Sequence, residues 1–76
     1  MRERLNELLN AKPFARFAVI MSYGSRHDVR HPEHVLLAKH WLILVDADDD
    51  EKIHDLYLLH VAHIERTTQS EASGTR

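Results

Sequence analysis

Apolar positions along the chain change period once, and the change divides it into two kinds of structure. Leu5, Leu8 and Leu9 fall at i, i+3 and i+4, with Arg2, Glu3 and Glu7 between them for solvent. That stripe predicts an amphipathic helix over residues 2–11, its first-turn acids suited to the macrodipole. Lys12-Pro13 ends it, because the residue before proline is pushed out of the α region. A helix of this length is marginal alone, so its leucines must dock on something.

After Pro13 the pattern becomes short runs rich in β-branched and aromatic residues. Phe14 to Met21 predicts a first strand, and Ser22-Tyr23-Gly24-Ser25 a turn in which Gly24 takes a positive φ. Arg26 to Arg30 predicts the returning strand with Val29 inward, broken at His31-Pro32. Pro32 to Leu37 reads as a single helical turn with proline in its first position. Trp41-Leu42-Ile43-Leu44-Val45 is a strand apolar on both faces, so both faces need cover. Asp46 to Lys52 reads as a solvated loop, Ile53 to Leu59 as a fourth strand and Val61 to Arg66 as a fifth. Residues 67–76 hold no large apolar side chain and predict a disordered tail.

The loops leave no room for crossover helices, so the connections are antiparallel. The expected fold class is α+β: an N-terminal helix, then a bent, five-stranded antiparallel sheet closing on itself as a small barrel over residues 1–66.

Composition narrows the functional choices. A chain of 76 residues buries only about 60% of the surface its unfolded form exposes, and such domains recruit disulfides, metals or partner subunits. The absence of cysteine closes the disulfide route and excludes thiolate metal sites. It also fits a reducing cytoplasm. No apolar run approaches the roughly 20 residues of a membrane span, and the charged N-terminus leads into no signal-peptide core. A cytoplasmic protein without membrane contact is expected. Residues 1–45 carry seven Lys/Arg against four Asp/Glu, and residues 46–76 carry three against eight. The acidic second half opposes long-range steering toward nucleic acid.

The layout Phe14-Ala15-Arg16-Phe17, a strand, Tyr23-Gly24, then Val29-Arg30-His31-Pro32-Glu33 resembles a group of small bacterial proteins of uncharacterised function. Their pattern is Phe-x-Pro-Phe, a strand, Asp-Gly-Arg and a later His-Pro-Glu. Here Arg16 stands in place of the proline, Tyr23 of the aspartate and Ser25 of the arginine. The resemblance runs over residues 5–66 and speaks to fold. A wider likeness is to Sm-like (SH3-like) small barrels. Phe17 to Val45 resembles their first motif, and Leu58-Leu59-His60-Val61-Ala62-His63-Ile64 their closing one. It implies a helix-capped five-stranded barrel, with RNA binding as one of its uses, although the Asn and Gly residues of the RNA pockets are missing. It also implies that the His31–His34 turn and the His60 turn lie together at one end of the sheet. Histidines so gathered would repel protons, and acid-weakened folding would be relieved by His31→Gln with His34→Gln.

Seven histidines are the compositional oddity. Their plain reading is solvated strand and loop residues; the sharper one is a metal site at His31, His34 and His60, with Asp28 or Glu33 in support. A nucleic-acid interface would rest on Arg26, Arg30, His31, His34 and His60, against the plain reading of arginines that keep a sheet face soluble. Trp41, Ile43 and Leu44 belong either to the core or to an oligomer interface. The sequence contains no nucleophile elbow, phosphate loop or dinucleotide fingerprint, and the Asp46–Glu51 run lacks the glycine and glutamate of a calcium loop. No cofactor is implied and an enzyme is not expected. The leading expectation is a non-enzymatic interaction module that self-associates through a strand edge, with a protein partner. An Sm-like RNA binder and a histidine metal domain are the alternatives.

Overall fold

The computed structural model describes residues 1–66. The leucine stripe forms helix α1, Arg2–Leu9, and seats Leu5 and Leu8 in the core with Leu9 packed beside them. The helix stops two residues earlier than its periodicity predicts. Asn10 closes it, donating both its backbone N–H (3.1 Å) and its side-chain amide (2.8 Å) to the carbonyl of Asn6. That local side-chain bond competes with another helical turn.

Among the described residues six strands follow: β1 Phe17–Met21, β2 Arg26–Val29, β3 Val35–Leu37, β4 Trp41–Val45, β5 Ile53–Tyr57 and β6 Val61–Arg66. They form two antiparallel three-stranded sheets, in the orders β2-β1-β6 and β3-β4-β5. The chain is α+β as expected, but the single closed five-stranded sheet is corrected to two open ones. The cause lies at Pro32, which has no N–H for a ladder. Pro32–His34 forms a 3₁₀ turn, and the chain leaves the first sheet after Val29 to enter the second at Val35. Val35-Leu36-Leu37 is therefore a strand, pairing with Leu44, Ile43 and Leu42, rather than the end of a helical turn.

Strand ends also shift. Phe14 precedes β1, its ring tilted against Phe17 at 6.1 Å. β5 stops at Tyr57, and Leu58–His60 makes a second 3₁₀ turn held by the Leu58 N–H to the His40 carbonyl at 2.9 Å. Gly24, at φ 99°, makes the β1–β2 turn as expected, donating its N–H to the Met21 carbonyl. The tail over 67–76 lies outside the described residues.

The core joins α1 (Leu5, Leu8) to Phe17, Val19, Met21, Val29, Leu42, Leu44 and Leu56. Among the described residues no polar or charged side chain is fully buried. β1 is the strand with cover on both faces. Its outer face is closed at Ala18, which stands opposite Asp28 on one side and Glu65 on the other. The Arg26 guanidinium binds both carboxylates and so stretches across this small residue. β4, for which two covered faces were expected, buries only Leu42 and Leu44; Trp41 is 44% exposed and Ile43 and Val45 are half-buried.

Candidate functional site

Among the sequence-designated residues, the arginines come with partners. Arg26 joins Asp28 on its own strand, at 3.2 Å, and Glu65 on β6. Glu65 holds the Arg26 pKa above its ordinary value, and Arg26 holds the Glu65 carboxyl below the usual carboxylate range. Arg30 lies one residue past the end of β2 and lines one shallow groove with Arg26. Its guanidinium reaches the Asp48 carboxylate at 3.1 Å and the Ala47 carbonyl at 3.3 Å. Both cations thus brace separate parts of the chain against acidic neighbours.

The histidine turns do not meet. His31 and His34 stack edge to face at 5.2 Å beside the Phe17–Val29 and Val35–Leu44 pairs. His60 lies at the other end of both sheets, next to Val61 opposite Met21 and 5.5 Å from the Tyr57 ring, which pairs with Trp41. The two turns separate because each sheet carries one at either end of its strands. His31, His34 and His60 are therefore not one site, and no group of three His, Asp or Glu side chains among the described residues is placed to hold a metal ion. Trp41 and Ile43 lie on the outer face of the second sheet; Leu44, 2% exposed, is core.

The most organised polar cluster involves residues that the motif search passes over. His27 is opposite Val19 and two residues before buried Val29, which places it on the inner face of the first sheet. His54 is opposite buried Leu44 and faces inward from the second. Their rings meet edge to face at 4.8 Å. His54 Nε2 lies 2.7 Å from Asp46 Oδ1, and His27 Nε2 lies 3.1 Å from the Ser25 hydroxyl. Asp46 also accepts the Asp48 N–H at 3.0 Å. Burial, then the neighbouring His54, lowers the His27 pKa, with Asp46 and Asp28 pulling the other way. The hydrogen bond from His54, and then that from the Asp48 backbone, holds the Asp46 carboxyl below its ordinary range. A period-two reading of His27–Val29 and His54–Leu56 carries the signal for both inward histidines.

Chemically this cluster resembles a nucleophile beside a base, Ser25 with His27. The carboxylate, however, orients His54 instead of His27, so the base next to the hydroxyl lacks the third group that a nucleophilic triad needs. A scan of protein-family models, a search of curated proteins and a search of solved structures each gave no match. Among the described residues no helix is long and apolar enough to cross a membrane.

A second grouping lies at the far end of β4 and β5. Trp41 and Tyr57 rings are 5.0 Å apart, and Tyr57 continues to His60. Arg2, Lys39 and His40 border a shallow groove on the same end, and Arg2 Nε donates to the Ala38 carbonyl at 3.1 Å.

Proposed function

We propose that this chain is a non-enzymatic interaction module that self-associates through its second sheet. The observation that carries this reading is the outer face of β3-β4-β5. Leu36 and Ile53 are each 62% exposed there, beside half-buried Ile43 and Val45 and the exposed Trp41. The pairs Leu36–Ile43, Val45–Ile53 and Trp41–Tyr57 make these side chains one apolar stripe along β4, flanked on β5 by Asp55 opposite Ile43. Continuous exposed apolar surface marks interaction sites, and a domain this small gains stability from covering it. The passage of β2 into β3 across the Pro32–His34 turn supports an open, Sm-like arrangement of the two sheets. Light scattering across a concentration series tests the reading. A mass above that of the monomer is expected, falling to the monomer in Ile43→Asp. A wild-type chain that stays monomeric at high micromolar concentration overturns it.

A second reading has its own observation. The Trp41–Tyr57–His60 run, bordered by Arg2, Lys39 and His40, has the composition of a stacking platform for single-stranded nucleic acid. Its cations are not Arg26 and Arg30, which are engaged with acids. A pyrimidine oligonucleotide is then expected to bind with affinity that falls as salt rises and is lost in Trp41→Ala. Absence of binding at low salt, or equal binding by the variant, removes this reading.

A further inference from the structure

We propose that His27 and His54 form a proton-operated latch between the two sheets, closed with at most one proton on the pair and opened along the β2–β5 seam by a second. The rings come from facing sheets, one opposite Val19 and the other opposite Leu44, and meet half-buried with centroids 4.8 Å apart beside a shallow groove. A proton on His54 is answered by Asp46 at 2.7 Å. A proton on His27 has only the Ser25 hydroxyl, which supplies no charge, within hydrogen-bond reach; Asp46 and Asp28 attract it from farther off, less than burial and His54 oppose it. Two imidazolium rings at this separation, partly shielded from water, repel across the seam that they close.

The surrounding groups do not cancel that repulsion. β1 and β4 present Val19 and Leu44 to the pair. On β2, Asp28 faces the same groove but is already bound to Arg26, which is itself shared with Glu65. From the loop after β4, Asp48 holds Arg30, and Lys52 places a further positive charge near Asp46. Asp46 is thus the one carboxylate bonded to either ring among the described residues; it bonds His54, and its pull on a His27 proton is outweighed by burial and His54.

The direction of the pH effect follows from His27. Its folded pKa lies below its unfolded value of about 6.5, so the unfolded chain binds the proton first as pH falls. Stability is complete above that pH and declines below it. Asp46 titrates only below the ordinary carboxylate range, so it does not contribute to the loss near pH 6.

Thermal melts of the full chain from pH 7.5 to 5.0, with nuclear magnetic resonance of the histidine rings and backbone amides, test the latch. Tm should fall by about 5 °C or more between pH 7.5 and 5.5, the profile should flatten in His27→Gln, and His31→Gln with His34→Gln should leave it as in the wild type. Below pH 6 the amide shifts should concentrate in β2, β5 and the 46–52 loop while the β1–β6 pairing persists. A flat wild-type profile, or an acid loss retained in His27→Gln, overturns the proposal, as does a uniform collapse of all strands. Where His27→Gln does not fold at neutral pH, the wild-type ring decides. Titration of His27 below about pH 6.5 supports the latch, and titration at or above it defeats the proposal.

Discussion

Aspartate at position 44 is expected to abolish folding, while aspartate one residue earlier leaves the fold intact. Leu44 is 2% exposed, is paired with Val35 and His54, and belongs to the central strand of its sheet. Deleting a buried leucine costs about 2–5 kcal/mol through lost transfer and the cavity left behind. A carboxylate there adds a buried charge, because its one titratable ladder neighbour, His54, is already bonded to Asp46. A domain of this length holds only about 4–11 kcal/mol in total, so the loss removes most or all of it. Ile43 points to the other face and opposes Leu36 and Asp55, where a charge remains in water. Far-ultraviolet circular dichroism of the two variants checks the contrast: a disordered spectrum for Leu44→Asp and a native one for Ile43→Asp. A native spectrum for Leu44→Asp would place the core elsewhere.

Phe17→Ala carries the second large effect. Phe17 is 1% exposed at the start of β1, paired with Val29 on one side and Arg66 on the other, with the Phe14 ring against it. Truncating a buried phenylalanine costs about 3–5 kcal/mol, and part of the loss here is the aromatic contact with Phe14. In a domain of this size each kcal/mol lowers Tm by about 4–8 °C, so a fall of roughly 12 °C or more is expected in a thermal melt. Phe14→Ala, at a half-buried position outside the strand, should give a smaller fall. Equal losses in the two variants would mean that the ring pair, and not the burial of Phe17, carries the energy.

Local pattern made the elements legible where one physical signal dominated. The leucine stripe announces α1, and the runs Trp41–Val45 and Val61–Arg66 coincide with β4 and β6. β3 was hidden because proline at the head of Pro32–Leu37 satisfies the rule for a helix start, and three apolar residues are too few to show a period. The two sheets were hidden for the same reason, since the break at Pro32 is what divides them. Candidate site residues were less legible. Arg26 meets Glu65 from 39 residues away, and Arg30 meets Asp48 from 18, separations that no local pattern encodes. Spacing grouped the histidines by loop, whereas the fold groups them by face. Alternation with Val29 and Leu56 holds a signal for the inward direction of His27 and His54, but the meeting of the two depends on how the sheets face each other.

The first sheet has its first and last strands side by side, with β1 paired along its length to β6. During synthesis β1 therefore leaves the ribosome long before its partner exists. Residues 17–21 precede 61–66 by some 45 positions, which at about 5–20 residues per second is a wait of roughly 2–9 s. Only β2 can pair with β1 in that interval, leaving its other edge open with Phe17, Val19 and Met21 uncovered. Completion of the core is thus tied to emergence of the whole segment through Arg66, and a nascent chain stalled before Val61 offers an apolar strand edge to whatever is nearby.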